Sequence, residues 1–308
     1  MYADHSRAYK VIAVIGFVAF LFLWGTSTAL RTAVKPDERD RVQMRESHSA
    51  FDADSAMKLA EALRTLAAEE GEHAVYAYCL DALQRWGLKI VPAGSGAAEE
   101  PGSPIVLERA GARSDTLLLL GAYAFEEDGA LTRSSLANLA FILEFGRSLG
   151  KSRLNYTMRL ACARRNAGDL GPESIAALAA GEGLPSALQA HLKYAAAVIL
   201  LENPGDCYLN FRAVPGVSQP LSRSLAETAL QLGLGRHFRA LAESGASHPA
   251  PNAAPMIALV DFPAPIPTID AASTGPDLCG DSLKCTADVL LQALPALEHQ
   301  LDTLRIPG

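Results

Sequence analysis

The sequence predicts an α/β fold, three layers (α/β/α) around a mostly parallel mixed central sheet, preceded by one transmembrane helix. Three observations carry this. Val11–Leu30 (VIAVIGFVAFLFLWGTSTAL) is free of charge, and an apolar run of about 20 residues crosses a bilayer core as a helix. Two short runs, Thr116–Leu120 and Ala196–Leu201, are continuously apolar, the pattern of strands covered on both faces. Around them, apolar residues recur at helical spacing, and helices alternating with short buried strands build layered α/β domains.

The elements follow in order. Residues 1–10 form a short tail and 11–30 the anchor. Residues 31–53 are a charged linker in which Pro36 interrupts any helix, and 54–308 are the globular domain. Helices are expected over 54–69, with Asp54 or Ser55 as cap, and over 72–86, ended by Gly87. Strands follow at 88–91, 105–109 and 115–123. The stretch 132–149 is an amphipathic helix stopped by Gly150, and 155–163 is a strand. Short helices at 172–180 and 185–195 precede the strand at 196–201, and a short strand covers 208–214. A long helix is expected over 221–244, weakened at Gly233 and Gly235. Strands at 256–261 and 266–269 lead to a closing helix over 281–304 that contains Pro295.

Charge and motif content exclude several functions. The net charge of −7 leaves no basic stripe for nucleic acid. No G-x-S-x-G accompanies Ser222 or Ser224, and Gly94–Gly96 lacks the rest of a nucleotide-binding fingerprint. The acidic run Glu126–Asp128 lacks the ligand spacing of a calcium loop and is expected to be a solvated turn. Of the five cysteines, Cys79, Cys162 and Cys207 sit in apolar stretches, as small buried hydrophobes do. Cys279 and Cys285 are close in sequence and are expected to bridge in an oxidising compartment. No Cys-x-x-Cys or His-x-x-x-His spacing offers zinc a site. Basic residues flank the anchor almost evenly (Arg7 and Lys10 before, Arg31 and Lys35 after). A short tail translocates poorly, so the expectation is a cytoplasmic N-terminus with the large domain periplasmic or extracellular. Gly16 and Gly25 lack the spacing of a helix-dimer motif.

Six segments, in order, resemble the M28 family of zinc aminopeptidases. Gly87–Val91 (GLKIV) is similar to the strand that follows the family's leading helices, and Thr116–Tyr123 (TLLLLGAY) to its "VVLGAHYDS" strand. Leu136–Leu149 (LANLAFILEFGRSL) is similar to "ASGVAALLELARAL", Thr157–Gly171 to "VRFVFFGAEEEGLLG" and Val198–Gly205 (VILLENPG) to "VINLDMVG". Gly280–Leu283 resembles the "DTLD" that opens the family's last helix. Relatives include glutaminyl cyclases and the non-catalytic ectodomains of nicastrin and the transferrin receptor.

The resemblance implies a pair of zinc ions held by histidine and carboxylate side chains, with a glutamate as general base. Carried over position by position, that set is degenerate here. The strand-end histidine falls at Tyr123, and the bridging aspartate near Ser134, where a serine is an ordinary helix cap. The adjacent glutamates fall near Arg165 and Asn166, and arginine neither binds a cation nor accepts a proton at neutral pH. The next carboxylate position is Glu202, and the last histidine falls near Asp277. Arg164 and Asp281 are further cleft candidates, with Arg164 and Arg165 facing Glu202 as a charge pair in place of metal. His191, His237 and His248 lie away from these positions.

The expectation is therefore a catalytically inactive M28-like domain holding no zinc and no other cofactor. It would work as a binding or scaffold subunit of a membrane-bound assembly, with membrane proteins or a peptide as partners. A divergent metal-dependent aminopeptidase or related hydrolase is the alternative, built around Glu202, Asp277 and Asp281. A structural spacer is the third class.

Overall fold

A computed structural model describes residues 50–91, 104–150, 152–165, 186–201, 204, 209–213, 219–234, 238–241, 256–261 and 278–305. The elements are α1 (Ala53–Glu70), α2 (Glu72–Arg85), β1 (Lys89–Ile90), β2 (Ile105–Arg109), β3 (Thr116–Tyr123), α3 (Arg133–Leu149) and β4 (Thr157–Arg164). Then come α4 (Ser186–Tyr194), β5 (Ala195–Leu201), β6 (Leu209–Ala213), α5 (Gln219–Gln231), β7 (Phe238–Leu241), β8 (Met256–Asp261) and α6 (Gly280–Arg305). The fold is mixed α/β. Among the described residues one eight-stranded sheet runs in the order β1-β2-β4-β3-β5-β8-β6-β7. Its centre is parallel: β3 pairs with β4 and β5, and β5 with β8. The β1–β2, β2–β4 and β6–β8 pairs are antiparallel.

Strand alternation divides the interior. Leu117, Leu119 and Tyr123 of β3 join the larger core with α1, α2, α3, α5 and α6. Leu118 and Leu120 turn to the opposite face, where Leu188 and Leu192 of α4 meet them. All eight residues of β3 are buried, as the unbroken apolar run requires of a central strand.

Two brackets of polar side chains hold the helical layer. At the domain's first turn, Arg147 Nη2 donates to the Ala50 carbonyl at 3.2 Å and Lys284 Nζ to the Phe51 carbonyl at 3.3 Å. The Asp52 amide donates to Glu144 Oε1 at 2.9 Å. Glu144 is only 1 % exposed, and Arg147 neutralises it from one turn away. The Phe51 ring packs on Phe141, centroids 5.5 Å apart. At the far end of α6, Glu298 Oε1 accepts from the amides of Asn155 (3.0 Å) and Tyr156 (2.9 Å). There Tyr156 OH donates to Asp302 Oδ1 at 2.6 Å, and Arg113 pairs with the same carboxylate. Gly111 passes under this corner, where a Cβ would lie 2.2 Å from the Tyr156 carbonyl oxygen.

Several expectations need correction. The cap of α1 is Asp52, whose carboxylate accepts from the Asp54 amide at 3.0 Å and from Ser55 Oγ at 2.8 Å, so the helix starts ahead of Asp54 and Ser55. The helix expected to run on to residue 244 ends at Gln231. Gly233 adopts φ +74°, a left-handed conformation open to glycine, and the Leu234 amide closes back on the Ala229 carbonyl at 2.7 Å. The chain beyond enters β7. Cys279 and Cys285 are not bridged. The Cys279 carbonyl receives the Ser282 and Leu283 amides as the cap of α6, while Cys285 is buried inside that helix. A rise of about 1.5 Å per residue carries the second sulfur beyond the separation a disulfide spans.

Among the described residues no helix is long and apolar enough to cross a membrane. The anchor, the helix at 172–180, the strand at 266–269 and Cys207 lie outside them.

Candidate functional site

The chain path nominates a site before chemistry does. From β3 the chain crosses the larger face through α3 to β4, then returns over the opposite face through α4 to β5 on the other side of β3. Connections diverging to opposite faces open a crevice outside the carboxyl ends of the central strands, where ligands of open α/β sheets sit. Tyr123 ends β3, and Arg164, its register partner, ends β4.

Tyr123 is 1 % exposed, and its hydroxyl has no hydrogen-bond partner. Burial pushes its ionisation well above the ordinary value, with Cys162, Glu72 and Cys79 acting in the same direction, so it stays a neutral phenol. Its ring meets Phe125 edge-on at 6.1 Å, and its carbonyl accepts the Arg165 amide at 2.8 Å. Beside it, Arg164 Nε lies 2.5 Å from Glu72 Oε1, in the first turn of α2. That oxygen is buried yet receives no aligned hydrogen bond, so charge rather than bond geometry holds the pair. The Nη1 of Arg165 is likewise enclosed and unbonded.

The loop from β3 to α3 is closed upon itself. Phe125 bridges to Leu131, Gly129 turns at φ +86°, and Asp128 Oδ1 accepts the Ala130 amide at 2.9 Å. Ser135, fully buried, accepts the Ala124 amide at 2.8 Å and donates to the Ala124 carbonyl at 3.1 Å. The cap of α3 is Thr132 and not Ser134: Thr132 is extended (φ −60°, ψ 156°) and its Oγ1 accepts the Ser135 amide. Ser134 is already helical and reaches Thr132 Oγ1 at 3.3 Å. Asn138, 3 % exposed, donates Nδ2 to the Ala122 carbonyl at 2.8 Å, while its Oδ1 has no partner.

The structure thus gathers Tyr123, Ser134, Arg164 and Arg165 at one end of the sheet. Asn166, Glu202 and Asp277 lie outside the described residues. Asp281, in the first turn of α6, lines a cavity of about 660 Å³ with Asp52, Asp54 and Lys284, and its neighbour Ser282 donates to the Pro204 carbonyl just beyond β5 at 3.0 Å. Sequence reasoning missed Glu72, because its partner Arg164 is distant in the chain. Thr132 was legible, being an N-cap residue type ahead of an apolar-periodic run.

Among the described residues no cluster of three histidine, cysteine or acidic side chains is placed to hold a metal ion. A neutral phenol, hydroxyls and guanidinium groups are a poor donor set for zinc, so the described part of this site does not fit the family's metal pair.

No protein-family model matches the sequence, and none of the curated proteins does. Solved structures do match. A Porphyromonas gingivalis glutaminyl cyclase superposes with TM-score 0.55 at 16% identity, covering 80% of this chain and 99% of that one. An Acidobacteriales bacterium glutaminyl cyclase gives 0.57 at 17% identity, over 82% and 97%. A Zn-dependent exopeptidase from Parabacteroides distasonis gives 0.52 at 17% identity, over 80% and 99%. At such identities the likeness establishes fold: this chain has the M28-like fold of glutaminyl cyclases and zinc-dependent exopeptidases.

Proposed function

We propose that this chain is a membrane-anchored, non-catalytic M28-like domain that binds rather than cleaves, as a subunit or scaffold of a membrane-bound assembly. One observation carries the reading. Where a metal enzyme of this fold needs a histidine at the strand end, this chain has the buried neutral phenol of Tyr123, flanked by the Arg164–Glu72 ion pair. A guanidinium there repels a metal and takes no proton. Contacts with pocket side chains can hold a peptide or a partner's segment without a metal. Val11–Leu30 would hold the domain at the outer face of the membrane, with the N-terminus cytoplasmic.

A second reading is a divergent metal-dependent hydrolase or cyclase. It is favoured by the descriptions of the similar structures as glutaminyl cyclases and exopeptidases, and would draw on Glu202, Asp277 and Asp281.

Metal analysis separates the two. The full chain, purified without chelator, dialysed against excess zinc and desalted, is expected to hold near-zero zinc per chain. It is also expected to release no ammonia from an N-terminal glutamine peptide and no amino acid from aminoacyl substrates. One or two tightly held zinc ions, with chelator-sensitive turnover, would overturn the binding-domain reading in favour of the enzyme.

A further inference from the structure

On the face of the sheet opposite the main core lies a second, smaller apolar cluster. Among the described residues α4 is the helix that packs there, and it contributes Leu188 and Leu192 to a small cluster with Leu118, Leu120, Val198 and Leu200.

Its polar attachment is a relay across three elements. Glu108 of β2 and Arg159 of β4 stand opposite one another in the antiparallel register. Arg159 Nε and Nη2 both lie 2.9 Å from Glu108 Oε2, which fixes the guanidinium plane. The remaining Nη1 lies 3.0 Å from His191 Nδ1 on α4. A guanidinium can only donate, so Nδ1 must accept, and the ring is the neutral tautomer with its hydrogen on Nε2. Protonation fills Nδ1. The hydrogen bond is lost, and two cations then face each other where donor and acceptor stood.

We propose that α4 is an acid-released cover, with protonation of His191 unlatching it from Arg159 and exposing the apolar strip of β3 and β5 beneath. Among the described residues the charged surroundings of the ring are Arg159, Glu108 and Lys193. Arg159 faces the ring and opposes protonation, Glu108 behind it favours protonation, and β3 and β5 present apolar side chains. Lys193 on the same helix lies over the Tyr194 ring, 5.8 Å from its centroid. Burial first, and Arg159 second, hold the His191 ionisation below its ordinary 6.5. The sign follows: attachment is complete above about pH 6.5 and is lost as pH falls toward the depressed folded value.

Amide hydrogen exchange of the full chain tests this, followed at Leu188–Tyr194 from about pH 7.5 to about pH 5 and corrected for intrinsic rates, with the β3 amides as reference. The α4 opening constant should rise by up to about tenfold per pH unit below about pH 6.5, while β3 stays protected. In His191→Gln the side-chain oxygen still accepts from Arg159 but does not titrate, so the α4 opening constant should be flat. The slope is the readout, so a variant that docks α4 less firmly still decides the matter. A flat profile in the wild type, or the same acid slope in His191→Gln, overturns the proposal.

Discussion

The Nε of Arg164 stands 2.5 Å from Oε1 of Glu72, so the carboxyl end of β4 is tied to the first turn of α2. The carboxylate also sits at a helix N-terminus, where the backbone dipole favours negative charge. Arg164 is 42% exposed and Glu72 23%, so solvent screens the pair and its worth is modest. Arg164→Met is expected to cost about 1–2 kcal/mol, because it leaves a buried carboxylate oxygen without its cation. Glu72→Gln combined with Arg164→Met should cost less than the sum, with a coupling of about 1 kcal/mol. Urea denaturation of the two single variants and the double closes this cycle. Strict additivity would mean that the contact contributes nothing.

The Glu144 carboxylate should prove far more costly to remove. It is buried, accepts the Asp52 amide and neutralises Arg147. Glu144→Ala leaves the Asp52 amide without its acceptor and Arg147 with the Ala50 carbonyl but no counter-charge, for about 3 kcal/mol of lost stability. Denaturant titration gives the figure, and faster exchange of the Asp52 amide locates the damage. A loss under about 1 kcal/mol would show that water replaces the carboxylate freely.

Gly111 is required for space rather than for an unusual dihedral. Its missing Cβ would stand 2.2 Å from the Tyr156 oxygen and 2.4 Å from the Tyr156 carbonyl carbon, both backbone atoms that no rotamer change can move. Gly111→Ala should therefore destabilise by about 2–3 kcal/mol, seen as a lowered thermal midpoint. An unchanged midpoint would mean that the backbone at Tyr156, just ahead of β4, shifts at little cost.

Asp302 makes part of the acid sensitivity predictable. The Tyr156 hydroxyl, then Arg113, hold its ionisation below the ordinary 3.8. A depressed carboxyl stabilises the fold above its unfolded value and stops doing so as pH falls through its folded value. Melting curves from about pH 5 down to about pH 2 should show Asp302→Asn losing less stability across that interval than the wild type. Parallel curves would remove Asp302 from the account.

What the sequence disclosed was local or periodic. The buried strand β3 was readable from Thr116–Leu120, and α3 from the spacing of Leu136, Leu139 and Leu143, because burial on both faces or on one leaves a pattern within a few residues. The position of Tyr123 at a strand end followed from the same reasoning. The Glu72–Arg164 contact was hidden, since nothing local links a helix start to the end of a distant strand. The end of α5 was misjudged for a different reason. Helical spacing continued past Gly233, and only the left-handed backbone there decides that the chain turns into β7.

The three carbonyl and amide groups gripped at Ala50, Phe51 and Asp52 have a mechanical consequence. A tug on the polypeptide upstream of Ala50 does not peel α1 from its first residue. It loads Arg147 and Glu144 in α3 and Lys284 in α6 at once, sharing tension between two buried helices. If the stretch ahead of residue 50 is moored in a bilayer, drag on the membrane reaches this domain through its interior rather than its skin.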